Sequence, residues 1–293
     1  MSSPLSVREY HPRGTIIMSD RYSPVMDTPR RWTLPDLPAA LQWAQQRSGQ
    51  GIRSTLALLG EYARTPEEAL AGARENLGCI PGIGSLRAGA SLSVKLGGIG
   101  GIFDTAMALD HAVQIAREAG RNGVPVELDM EGRATVGLTL DAAIRCAKET
   151  PAVTVALQSY LARTPGDIRR MVSEGIGVRL VKGAYLGDTT DFARILQLTM
   201  EDARLLGSLG ARFSLGTHDP GLIAWAEQEF RGRKDGIEFG FLLGLSDETK
   251  LRLVAGGWRV SEYVPFGQGG EAYVLRRERY LRDLAATGRA PAP

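Results

Sequence analysis

The feature that most restricts what this chain can become is an alternation. Short apolar runs with the character of buried strands are separated, again and again, by segments whose apolar residues recur at helical spacing. Eight such runs can be placed, at 52–58, 91–96, 125–128, 153–157, 178–181, 212–215, 237–239 and 259–264. Strand followed by helix, repeated, builds a parallel sheet with helices outside, because parallel neighbours need a crossover connection. Eight units in about 230 residues is the span of a distorted (βα)8 barrel of the TIM type. A doubly wound open sheet is the competing arrangement.

Ahead of the barrel the pattern differs. Pro4, Pro12, Pro24, Pro29 and Pro35 disfavour regular structure, whereas Leu37, Ala40, Leu41 and Ala44 recur at helical spacing behind Asp36, a good cap. An N-terminal arm and helix over 1–48 and a catalytic barrel over 49–293 follow as the expected division. His11 reads as a solvated surface residue. Helices are expected from Thr65 to about Leu77, over 103–119, 139–148, 165–173 and 190–209, and around Arg276.

Composition removes several classes of function. A formal charge of +2 is too small to suggest a nucleic-acid binder, and the basic residues are spread along the chain except near the C-terminus. Two cysteines, Cys79 and Cys146, supply neither a disulfide framework nor a metal knuckle, so no metal is expected. No apolar run is long enough to span a bilayer and no secretory leader is evident, so a cytoplasmic protein is expected.

The stretch from Val178 to Tyr185 carries the first chemical signal. Arg179 and Lys182 interrupt an apolar strand, and unpaired buried charge costs several kcal/mol, on the order of 3–5 when a partner is missing. Either an anionic ligand sits opposite, or carboxylates on neighbouring strands pair with them. Other strand ends add Glu61, Lys95, Asp129, Glu131, Gln158, Tyr185, Thr217, His218, Glu238 and Tyr263. In a barrel these ends share one mouth. Gly97-Gly98-Ile99-Gly100-Gly101 precedes a helix, yet its spacing fits neither phosphate-binding pattern, and it reads as a flexible loop.

In order along the chain, Leu59-Gly60-Glu61, Ser93-Val94-Lys95-Leu96, Leu128-Asp129-Met130-Glu131, Gln158-Ser159-Tyr160-Leu161, Arg179-Leu180-Val181-Lys182-Gly183-Ala184-Tyr185, Thr217-His218-Asp219, Glu238-Phe239, Tyr263-Val264-Pro265-Phe266-Gly267 and Tyr273-Val274-Leu275-Arg276-Arg277 resemble the motifs of the proline dehydrogenase family. The resemblance runs from about Gly51 to Leu281. It implies a distorted (βα)8 barrel with FAD over the strand ends. It further implies that Gln158, Arg179, Lys182, Thr217, His218 and Glu238 serve the cofactor, while Lys95, Arg276 and Arg277 hold the substrate carboxylate. Asp129 would lie near the lysine, and Tyr185 and Tyr263 would wall the substrate ring.

The chain departs from the family in three places. Tyr280 stands where a glutamate is usual, Glu238-Phe239-Gly240 stands where Glu-Phe-Gln is usual, and the segment after Tyr185 is shorter. A divergent member is therefore expected: a flavin-dependent oxidoreductase acting on proline or a related cyclic or N-substituted amino acid. Its electron acceptor would be a quinone or oxygen, and a homo-oligomeric state is left open. Two other readings compete. A strand-end lysine, Lys95 or Lys182, could form a Schiff base as in aldolases. Alternatively, a barrel that has lost FAD could bind an amino acid without turning it over.

Overall fold

The structure, a computed structural model, describes residues 32–60, 62–86, 89–286, 288 and 290–292. The four prolines before Trp32, His11 and Glu61 lie outside the described residues. Eight parallel strands close into a barrel in chain order. They are β1 (Ile52–Leu58), β2 (Ser91–Val94), β3 (Val126–Leu128), β4 (Val153–Gln158), β5 (Gly177–Val181), β6 (Phe213–Gly216), β7 (Ile237–Leu242) and β8 (Arg259–Phe266). Closure is made by β1 against β8, in register from Ile52 opposite Val260 to Leu58 opposite Phe266.

Helices α1 (Leu37–Gly49), α2 (Pro66–Gly84), α3 (Thr105–Arg121), α4 (Val136–Cys146), α5 (Thr164–Ser173), α6 (Phe192–Ser208), α7 (Pro220–Glu229), α8 (Asp247–Ala255) and α9 (Glu271–Ala286) accompany the strands. Their starts are chemically specified. Asp36, Asp104, Asp191 and Asp219 each accept a hydrogen bond from a first-turn amide, with Pro66 and Pro220 at first helical positions. Helix α2 outruns its expected end near Leu77 and passes through Pro81, because Ile80 and Ile83 continue its buried face. The glycine run after β2 is no loose loop. Its 3₁₀ turn over Leu96–Ile99 is largely buried, and a Cβ on Gly72 of α2 would stand 2.3 Å from the Gly98 carbonyl.

The apolar core lies between sheet and helices. On β5, Val178 and Leu180 face outward into it, and the alternate face turns Arg179 into the barrel. The interior is correspondingly polar. Arg53 reaches Glu238 at 2.6 Å and Ser91 at 3.1 Å, and Arg179 reaches Glu127 at 3.1 Å. Outside the sheet, Glu262 on β8 is fully buried between α1 and α8. It accepts from Trp43 Nε1 at 2.6 Å and from Arg47 at 2.9 and 3.1 Å, and it pairs with Lys250.

Just before α1, the chain is sewn to the carboxyl end of β8. Leu34 donates to the Pro265 carbonyl at 2.9 Å and accepts from the Gly267 amide at 3.0 Å. Behind β4, Asp202 on α6 is buried, and burial pushes its carboxyl up to about 6, although the Ser159 hydroxyl works the other way. The folded state thus holds this proton more tightly than the unfolded chain, so stability should fall as pH rises through 6. Replacing Asp202 with asparagine is expected to flatten the stability profile between pH 4 and 6 by about 2 kcal/mol. Urea unfolding across that range checks it; parallel profiles for parent and variant would refute it.

Candidate active site

Strand alternation delivers the polar residues. Glu127 and Asp129 lie two apart on and just beyond β3, Gln158 ends β4, and Tyr263 sits on β8. Together with Lys95 beyond β2 and Arg179 on β5, Asp129 and Tyr263 converge at the carboxyl ends of the strands. There they line a cavity of about 300 Å³.

Asp129 is the hub. Its Oδ2 accepts from the Tyr263 hydroxyl at 2.8 Å and lies 3.5 Å from Lys95 Nζ, and its Oδ1 accepts from Arg179 Nη2 at 2.8 Å. Lys95 in turn donates to the Tyr263 oxygen at 2.8 Å. Burial works to raise the Asp129 carboxyl, but Lys95, Arg179 and the Tyr263 hydroxyl hold it below the usual carboxylate range. The Tyr263 phenol is driven well above its ordinary value, first by burial and then by Asp129. At neutral pH the cluster therefore holds an anionic aspartate and an un-ionised tyrosine.

Arg179 answers the question its sequence raised. It is paired with carboxylates from the β3 segment, Glu127 and Asp129, and its guanidinium lies 5.2 Å from the Tyr263 ring. Glu127 gave little signal because β3 is only three residues long; its period of two from Asp129 was the available clue.

Across the mouth, α9 brings Arg276 to 5.3 Å from the Tyr185 ring. Beside it, Arg277 donates to the Tyr273 hydroxyl at 3.1 Å and to the Leu243 carbonyl. Lys95, Tyr185, Tyr273 and Arg276 also border a second cavity of about 520 Å³ along α2.

On the far wall, Gln158 accepts from Tyr160 at 2.9 Å and donates to the Glu131 carbonyl at 3.2 Å. Lys182 lies between the rings of Phe192 and Tyr280, at 4.6 and 5.0 Å. Thr217 is buried beside His218, whose pKa is driven well down by burial and by Arg277, Lys250 and Lys182. His218 is thus neutral. Its Nε2 accepts from the Leu242 amide at 3.1 Å, so the proton sits on Nδ1 and faces Ser246 Oγ at 2.9 Å.

One expected site residue lies elsewhere. Glu238, assigned to the cofactor wall, stands at the amino end of β7 and pairs with Arg53 at 2.6 Å and Arg259 at 3.6 Å. The strand runs on to Leu242, and it is Gly240 and Leu242 that border the cavity. Tyr160, Tyr273 and Trp32 drew no individual attention in the sequence, since aromatic residues at single positions more often fill cores.

The proline dehydrogenase family model matches residues 40–203. Proline dehydrogenase 1 of Bacillus subtilis strain 168 is 30% identical over 263 residues, covering 85% of each chain. Proline dehydrogenase of Deinococcus radiodurans is 30% identical over 253 residues, covering 82% of each. Among solved structures, proline utilization A from Bdellovibrio bacteriovorus, inactivated by N-propargylglycine, superposes with a TM-score of 0.77 at 20% identity. That match covers 85% of this chain and 32% of the other, so the likeness extends over about a third of the longer protein and concerns the barrel fold.

Proposed function

The chain belongs to the proline dehydrogenase family, and we propose that the mouth of its barrel oxidises the C–N bond of L-proline, or of a closely related cyclic or N-substituted amino acid, with FAD as hydride acceptor. One observation carries the reading: Lys95, Tyr263 and Arg179 meet at Asp129 in the same cavity that Arg276 and Arg277 border.

The residues present suit a flavin. Arg179 Nε is buried on the cavity wall with no hydrogen-bond partner among the described residues, a donor that a ring nitrogen would satisfy. Ala156, Gly216 and Gly240 keep the nearby wall free of bulk, and the polar groups of Gln158, Lys182, Thr217 and His218 border the same space. These residues, with Arg179, would hold the cofactor. Bound FAD would supply the two-electron acceptor that no side chain here provides.

The chain's own residues bind and orient. Arg276, Arg277 and Lys95 offer a carboxylate three cationic side chains, two of them planar forks. Tyr185 and Tyr263 flank a small ring and limit its tumbling, which keeps the donor carbon aligned. Asp129 stays anionic, fixes Lys95 and Arg179, and keeps the Tyr263 hydroxyl oriented.

Neither a Schiff-base lyase nor a non-catalytic binder is favoured. Lys95 is ion-paired with Asp129, and Lys182 is enclosed by two aromatic rings. No helix among the described residues is long and apolar enough to cross a membrane. The decisive measurement is an anaerobic visible spectrum of the FAD-loaded protein. Added L-proline is expected to bleach the flavin band stoichiometrically. A protein that neither retains FAD nor is reduced by any cyclic amino acid would end the proposal.

A further inference from the structure

We infer that Trp32, which precedes the barrel, is a positioning residue for Arg277 and thereby sets the affinity for the substrate carboxylate. The inference rests on the proposed reading in which Arg277 grips that carboxylate.

The geometry is specific. The guanidinium carbon of Arg277 lies 4.8 Å from the centroid of the Trp32 ring and 6.0 Å from that of Tyr273. Its Nη1 donates to the Tyr273 hydroxyl at 3.1 Å and its Nη2 to the Leu243 carbonyl. Trp32 and Arg277 are both buried, at 5% and 3% exposure. The indole thus covers a face of the fork while Tyr273 and Leu243 set its rotation. A guanidinium held in this way enters the complex with its rotamers already fixed, which removes an entropic cost of binding.

Trp32 is itself held. Two residues on, Leu34 makes both backbone hydrogen bonds to the end of β8, so the indole is delivered by a pinned segment. A second observation separates a positioning role from simple filling. Trp32 Nε1 is buried and finds no hydrogen-bond partner among the described residues. As a space filler, an indole with an orphaned donor is inferior to phenylalanine or leucine, because the unmet N–H carries a desolvation cost. What indole offers beyond those residues is the strongest cation-attracting face of the aromatic side chains. Here that face meets Arg277.

The test uses the full-length, FAD-loaded protein and cyclopentanecarboxylate, which has the ring and carboxylate of proline but no amine to oxidise. Calorimetry is expected to show W32L weakening its binding about tenfold, with W32F within about threefold of the parent. Steady-state assays should show the same rise in KM with kcat changed less than about twofold, as loss of uniform binding requires. R277M supplies the control. If R277M weakens cyclopentanecarboxylate but W32L does not, the role of Trp32 is refuted while the carboxylate reading stands. If R277M leaves binding unchanged, the carboxylate reading falls and takes this inference with it. Equal losses in W32L and W32F, or a W32L effect that persists in full in the R277M background, would show filling and overturn the proposal. Should W32L not fold, W32F and W32M are compared in the same way, with W32M expected to lose affinity and W32F to keep it.

Discussion

Changing Asp129 to asparagine is expected to lower kcat/KM for proline about a thousandfold, roughly 4 kcal/mol, while leaving the barrel folded. The substitution keeps shape and removes charge. Lys95 and Arg179 would then face one another with the anion between them gone, although Arg179 would keep Glu127 at 3.1 Å. The amide would also present a donor toward either Arg179 or the Tyr263 hydroxyl, both of which now donate to the carboxylate. Tyr263, and with it one wall of the proposed substrate site, loses its fixed orientation. Steady-state kinetics alongside flavin content and melting temperature check the expectation. A loss under tenfold with FAD still bound would show that Asp129 is not the hub.

The largest effect on stability is expected far from this site. Replacing Glu262 with alanine should cost about 3–5 kcal/mol, because it leaves Arg47 and Lys250 buried without their main anion. Asp247 still touches both cations, but its side chain is 55% exposed and cannot replace a carboxylate enclosed on all sides. Burial works to raise the Glu262 carboxyl, yet Arg47 and Lys250 hold it below the ordinary range. Its support is therefore present at neutral pH and is lost as pH falls through that lowered value. A triple variant with leucine at 262 and methionine at 47 and 250 should recover most of the loss, since apolar groups of similar volume can replace a buried ion cluster. Denaturant unfolding distinguishes the cases, and a single-variant loss below about 1 kcal/mol would refute the cluster's importance.

Much of the fold could be read from residues alone because its periodicities are strong. Runs such as Ile52–Leu58, and caps such as Asp36 and Thr65, speak through local chemistry. What stayed hidden depends on where strands end and what lies across the barrel. With β7 ended at Phe239, Glu238 would sit at the mouth; with three further residues it drops to the opposite end, beside Arg53 and Arg259. Glu262 gave no warning either. Its partners are 12, 215 and 219 residues away, and only closure of the barrel brings α1 onto β8. The contact between Trp32 and Arg277 spans nearly the whole chain and has no local signature.

The barrel's filling has a thermal consequence. Arg53, Glu238, Arg179 and Glu127 occupy an interior that many barrels fill with branched apolar side chains. Hydration of charged groups becomes less favourable on heating, so the cost of enclosing these four ions shrinks as apolar burial levels off. Added salt reaches such pairs poorly. The barrel interior beneath the mouth should accordingly soften less on warming, and respond less to ionic strength, than the exposed ion pairs on the outer helices.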